Sequence, residues 1–415
     1  MKPHQIVEET KKIFQQLLEE IQIKSEEDNS FTWHLEADHL IDYILSYDTE
    51  NDDLDIEKKI SIYKKCYVKH RVEDKSKKNP ELANLVWQSY IKECKISKRT
   101  GDRYKIITTI SYDNTNKLKL RSRVIDGCHI SFHKQLTEKA NKNRNYIFNE
   151  FKSQKEAKDI SSYTYAVISL VAPNENTAIT KALNALSLYR AILNVCLKKQ
   201  INILHLNTHQ MYPCSSAVST GKYHTLHKGT YKPTYNKSLW FEHGQADKGA
   251  MRTRSNNLDD LISKSLTKYR KSPIKEHLRK SLVTYIEALD SENSEYRFIK
   301  LWSALEVLLQ SDNTKSLCKM ISSFFEDVSL IREKINSSRA SRNRAVHISV
   351  SNANLNGKTF DLINFFELIF NFHLNNPFKF QKLNEFNHFT NSPRDVKHID
   401  RQIETLKIAK KYCSN

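Results

Sequence analysis

The chain has 415 residues, enough for two domains of ordinary size and a sizeable core. Its 66 Lys and Arg stand against 48 Asp and Glu, a formal charge of +18, which points to a polyanionic partner, because such cations neutralise phosphates and release condensed counterions. No run of about eighteen apolar residues occurs, which excludes a membrane-spanning helix. The seven glycines argue against large sandwiches, barrels and glycine-rich nucleotide loops.

The opening Met1–Gln5 lacks the apolar core of a signal peptide, so a cytoplasmic protein is expected. Seven cysteines, at 66, 94, 128, 196, 214, 318 and 413, form no C-x-x-C pair, and read as reduced thiols without a disulfide frame.

Residues 5–24 predict a helix, with Ile6, Ile13, Phe14, Leu17, Leu18 and Ile21 on one face. Residues 25–103 alternate acidic and basic segments about apolar patches such as Leu40–Leu45, and place helices only loosely. Period-two alternation then predicts a hairpin of Tyr104–Ser111 with Leu118–Ile125, turning at Asp113–Asn116. A third strand, Tyr163–Val171, leads through Asn174 or Asn176 as cap into a helix over about 177–197, striped by Ile179, Leu183, Leu186, Leu188, Ile192 and Leu193. Residues 200–255 lose periodicity around Pro213 and Pro233 and read as surface loop.

From Leu258 onward the pattern is helical, with segments at 258–271, 274–290, 294–311, 315–326, 328–340, 342–349, 358–374 and 393–412 joined by short connections. The expected fold class is therefore α+β, mostly helical. An N-terminal α+β domain for recognition or regulation covers 1–255, and an all-α helical bundle covers 256–415.

The stretch Ser337–His347 concentrates the chemistry. Arg342, Asn343 and His347 can grip a phosphate and move a proton, which is what cutting RNA at its 2′-hydroxyl requires. Positions five apart on a helix differ by about 140°, so Arg342 is expected at a helix start, capped by Ser337, Ser338 or Ser341. One histidine in the motif cannot be base and acid in one step, so two copies are expected to face each other in a dimer. Arg339 and Arg344 read as phosphate grips or salt-bridge partners. Glu306, in an apolar helix with Trp302, Leu305 and Leu309, is expected to meet Arg342 or Arg344, because an unpaired carboxylate there is costly.

Basic stretches elsewhere add further candidates. Lys98–Arg144 carries Arg121 and Arg123, and residues 198–280 carry Arg252 and Arg254 among Tyr212, Tyr223, Tyr231, Tyr235 and Trp240, a mixture suited to unpaired bases. The pairs His205/His209 and His224/His227 around Cys214 lack the partners of a standard zinc set, so no metal and no cofactor is expected. Ser219-Thr220-Gly221-Lys222 lacks the first glycine of a phosphate loop and is set aside.

Arg342-Asn343-(x)3-His347 resembles the Arg-x(4–6)-His signature of HEPN ribonuclease domains, with a polar residue after the arginine. Upstream, Trp302-Ser-Ala-Leu305-Glu306 is similar to the Trp-x-x-Leu-Glu helix of the ApeA-like HEPN subgroup of prokaryotic anti-phage and abortive-infection proteins. The likeness covers about residues 257–380. The Tyr163–Val171 strand and the helix with Tyr189-Arg190 and Leu193-Asn194 also resemble the region preceding HEPN domains in that subgroup.

The resemblance implies a metal-independent endoribonuclease that leaves 2′,3′-cyclic phosphate and 5′-hydroxyl ends. It implies a defence toxin cutting a tRNA or an mRNA as a homodimer through its helical domain, under an inhibitor or a phage trigger, with no membrane partner. The rival expectation is a non-catalytic, basic, dimeric module that binds RNA or a partner.

Overall fold

The computed structural model describes residues 13, 21–25, 30–33, 35–46, 48, 51, 56–73, 79–99, 101–113, 115, 120–150, 159–204, 214–233, 238–242, 249–252, 257–348, 355–393 and 395–413. The mostly helical α+β class holds: thirteen helices accompany an antiparallel sheet and a separate short hairpin among these residues. No described helix is long and apolar enough to cross a membrane.

The hairpin pairs β1 (Ile21–Ser25) with β2 (Ser30–Trp33). The helix expected over 5–24 therefore stops short of Ile21: Ile21-Gln22-Ile23-Lys24 alternates with a strand's period, and Phe31-Thr32-Trp33 supplies strand-forming partners. Ile13 is helical, and the rest of 5–20 lies outside the described residues.

Three helices follow, α1 (Leu35–Leu45), α2 (Ile56–Glu73) and α3 (Asn79–Arg99). They close on a core of their own, in which Ile41, Tyr63, Leu82, Val86 and Tyr90 are all but inaccessible. Its polar centre is Asp48, which accepts from the Tyr90 hydroxyl at 2.5 Å and from Asn51 Nδ2 at 2.9 Å.

The sheet is built on β3 (Asp102–Asp113), which pairs with β6 (Tyr163–Ala172) along one edge and β7 (Tyr223–Lys228) along the other. The expected hairpin of β3 with Leu118–Ile125 does not form. Instead β4 (Arg123–Ile125) turns through Asp126 and Gly127, at φ 46° and 79°, into β5 (Cys128–His133). That Asp-Gly pair is the two-residue turn whose twist matches a hairpin. β3 is buried along nearly its whole length, and such a strand takes partners on both edges. The strand order is β4-β5-β6-β3-β7-β8, with β8 (Lys232–Pro233) at the end and β9 (Leu239–Phe241) also on β7. Residues 200–255 are thus not all loop; Thr225 and Leu226 of β7 are fully buried.

Helices cover both faces of the sheet. α4 (Glu138–Glu150) lies over Ile107 and Val167. Its buried Arg144 donates to Ile107 O and Thr225 Oγ1, each at 2.6 Å, and pairs with Asp159 at 2.7 Å. On the other face, Ile106 and Ile168 meet α5 (Glu175–Leu204), whose start is capped by Asn174 Oδ1 accepting from Thr177 N at 2.7 Å. α5 is apolar nearly all round because its far side packs on α6 (Leu258–Lys271) and α7 (Lys275–Asp290). The core consequently runs unbroken from Tyr104 to Phe386.

The remaining helices are α8 (Ser294–Leu309), α9 (Thr314–Ser322), α10 (Val328–Ile348), α11 (Leu355–Asn375), α12 (Leu383–Asn391) and α13 (Val396–Cys413). Asparagines start two of them: Asn293 Oδ1 accepts from Glu295 N and Tyr296 N, and Asn313 Oδ1 from Lys315 N, each at 2.9 Å. The break expected at 340–342 is absent: α10 begins at Val328, just after Asp327, whose Oδ1 accepts from Leu330 N at 2.9 Å, and runs on to Ile348. Ser338 and Ser341 are buried in mid-helix, where packing overrides their preference for helix ends.

His373 of α11 lies edge-on to Phe386 at 4.7 Å, with no partner for its Nε2 among the described residues. Burial pushes its imidazole from 6.5 down to about 4, so the folded state keeps it neutral while the unfolded chain protonates below 6.5. Its contribution is whole above that pH and is lost as the pH falls towards 4, by on the order of 3 kcal/mol at most. We expect the urea midpoint of His373→Phe to fall less between pH 7 and 4.5 than that of the parent; equal falls would refute the assignment.

Candidate nucleic-acid interface

α10 has two unlike sides. Ile331, Ile335, Ser338 and Ser341 are buried inward, while Arg332, Arg339, Asn343 and Arg344 are exposed and Arg342 is half-exposed. Among the described residues none of these four arginines meets a carboxylate; Arg342 Nη1 has the amide oxygen of Asn343 at 3.4 Å. Glu333 is the acidic residue exposed on α10 beside them, and from Lys334 to Ile348 the helix carries no carboxylate.

Lys358 of α11, which the sequence did not single out, joins this row. Its Nζ donates to Ser341 Oγ at 2.6 Å, and desolvation, then the nearby charge of Arg344, lowers its ammonium pKa. On the other flank, Arg332 and Arg339 act on the Cys318 thiol, whose pKa burial nevertheless raises. Lys358 carries no signal in the sequence, because only the packing of α11 on α10 brings it close.

Along an unbroken helix, positions 339, 343 and 347 follow one another in steps of four and share a face. Position 342 lies about 140° from 347. Arg342 is therefore not at a helix start, and Arg339, not Arg342, shares a row with His347.

Glu306 does not pair with Arg342 or Arg344. Its Oε1 accepts from Trp302 Nε1 at 2.6 Å, one turn earlier on α8, so a neutral donor on the same helix satisfies the carboxylate. Trp302 is buried, and the bond fixes both side chains against the core.

The other arginine candidates serve the fold. Arg123 is 13% exposed and binds Asp259 of α6 through both carboxylate oxygens, at 2.8 and 2.9 Å, and Ser263 Oγ at 2.8 Å. Arg121 reaches the same Asp259 at 3.2 Å, though it is itself 69% exposed. Arg252 is exposed and pairs with Asp113, which its hydrogen bonds with Thr115 and then Arg252 hold down at about 2. Arg254, Tyr212, Tyr235, His205 and His209 lie outside the described residues.

His224 and His227 are buried in β7, bonded to Thr108 Oγ1 at 2.7 Å and Thr225 Oγ1 at 2.9 Å. No group of three metal-ligating side chains occurs among the described residues. Gly221 belongs to the sheet: its N–H donates to Thr109 O at 2.7 Å, and a Cβ there would lie 2.1 Å from Thr109 Oγ1.

An open cleft of about 790 Å³ lies beside α5, α7 and α8, lined by Arg190, Glu242, Glu287, Asp290, Glu292 and Tyr296 among others. Asp290 there pairs with Arg190 and Glu287 with Lys300 at 3.6 Å, so most of its charge is matched, unlike that of α10. No family model matches the chain, and neither a curated protein nor a solved structure does.

These placements set apart two kinds of arginine. Arg123→Ala is expected to lower stability by about 1–3 kcal/mol and leave RNA affinity unchanged. Arg339→Ala with Arg342→Ala is expected to do the reverse, flattening the salt dependence of RNA binding. Denaturant titration beside filter binding at several salt concentrations checks both.

Proposed function

We propose that the protein is a metal-independent endoribonuclease whose site lies on α10, with Arg342, Asn343 and His347 acting on RNA and Arg339 and Arg344 gripping phosphates beside them. The observation that carries this reading is the set of α10 arginines, Arg332, Arg339, Arg342 and Arg344, without a carboxylate partner among the described residues, on the helix that also carries His347 and receives Lys358 at Ser341. Charges of one sign on a helix repel one another, and a bound phosphate backbone relieves that repulsion.

The chemistry follows from RNA itself. A base takes the 2′-hydroxyl proton, the 2′-oxygen bonds to phosphorus, the bond from phosphorus to the 5′-oxygen breaks, and an acid protonates the leaving oxygen. A cyclic phosphate and a 5′-hydroxyl result. His347 suits either proton transfer near neutral pH, and the planar fork of arginine suits the phosphate oxygens as charge builds there. The other transfer falls to His347 of a second copy. With position 339 on the row of 347 and position 342 turned away, Arg339 holds the phosphate that this histidine serves, while Arg342 reaches across to the strand held by the second copy. Glu306 supports the site only through Trp302. The resemblance to HEPN proteins of anti-phage defence supports a toxin or effector role with a tRNA or mRNA as substrate, held back by an inhibitor or released by a phage trigger.

The wide angle between positions 342 and 347 favours a second reading, in which the same ridge binds RNA without cutting it. Purified protein incubated with total cellular RNA separates the two. The nuclease reading expects fragments ending in cyclic phosphate, reduced at least about 100-fold in His347→Ala and Arg342→Ala. Binding without fragments, or fragments unaffected by both substitutions, overturns it.

A further inference from the structure

The last described helix, α13, has no buried residue along its 18 positions. Val396 is 68% exposed, Ile403 45% and Leu406 68%. With half-buried Ile399 and with Cys413, these residues stand at 396, 399, 403, 406 and 413, the three-and-four alternation of a coiled-coil seam in which the remaining position, 410, is a lysine. Helices that lie on a core carry a wider apolar stripe. Ile408 and Tyr412 fall off this seam. A helix about 27 Å long with no buried residue gains little stability from its own hydrogen bonds in water, so the seam calls for a cover.

We propose that α13 is a self-association helix whose partner is the α13 of a second copy of this chain, packed antiparallel. The charges beside the seam select that direction. With the two helices fully overlapped, position 396 of one meets 413 of the other, 399 meets 410 and 403 meets 406. Asp400 of each copy then lies beside Lys407 of the other, twice by symmetry. A parallel pair would set Asp395 of one against Asp400 of the other, and like charges there repel. The methylene stem of Lys410 covers Ile399. The contact goes beyond the ribonuclease reading and stands whether or not α10 cuts RNA.

Sedimentation of the full chain under reducing conditions tests the pairing. The parent is expected at twice the chain mass and Ile403→Lys with Leu406→Lys at the chain mass. The far-ultraviolet circular dichroism outside α13 should stay the same, since no residue of α13 is buried within its own chain. Asp400→Lys is expected to weaken the dimer by roughly tenfold, and adding Lys407→Asp to restore it. Under mild oxidation Val396→Cys is expected to join Cys413 of the other copy. A parent that stays monomeric overturns the proposal, as does a dimer indifferent to the Ile403 and Leu406 substitutions. So does cross-linking of Cys413 to Cys413, or a monomer that α13 anchors to vesicles of phosphatidylserine.

Discussion

The buried guanidinium of Arg190 joins the parts of this molecule that the sequence keeps apart. It reaches from α5 to Asp290 at the end of α7, to Val218 O at 3.3 Å and to Thr220 Oγ1 at 3.4 Å. The other oxygen of Asp290 accepts from Ser216 Oγ at 2.8 Å. One turn along α5, Asn194 Oδ1 accepts the N–H groups of Ala217, at 2.6 Å, and Val218, at 3.2 Å. A charge so deeply placed is tolerable only when its donors find acceptors and its counter-ion is itself held, and both conditions are met. The segment 214–220 is thereby pinned between sheet and helices. The end of α7 is fixed, and with it the start of α8, against which α10 lies. The outward aim of the α10 arginines is a remote consequence of that buried pair.

Charge is distributed unevenly over the surface that results. Arg123, Arg144 and Arg190 are spent on the interior, each with an aspartate. The cleft beside Arg190 collects carboxylates. Arg332, Arg339, Arg342 and Arg344 of α10 meet no carboxylate among the described residues, so the overall charge of +18 is a poorer guide to this surface than the separation of paired from unpaired arginines.

The sequence made the helices from Leu258 onward legible, because their apolar stripes repeat, with the exception of α12, whose nine residues between Leu383 and Asn391 are too few to show a stripe. β6 and the helix after it were legible for the same reason. The partners of β3 were not: pairing joins residues up to more than a hundred apart, and no local alternation encodes them. The Asp126-Gly127 turn was written plainly, yet the nearer Asp113–Asn116 cluster looked like the hairpin turn. For the candidate site, residue types were legible and geometry was not. Ser337, Ser338 and Ser341 have the letters of a helix start, and only the packing of Ser338 and Ser341 against neighbouring helices shows that they lie inside one. Glu306 was rightly read as needing a partner, but an indole one turn away met that need before any arginine could.

The core of α1, α2 and α3 shares no buried apolar residue with the core that runs from Tyr104 to Phe386. Effects of substitutions on stability add when sites have no neighbours in common. A change at Tyr63 or Val86 therefore leaves the free energy of the Arg190 junction, and of everything hung from it, where it was. Sequence drift in the buried residues of these three helices is invisible to the α10 ridge, and their surface can diverge without the larger core having to compensate.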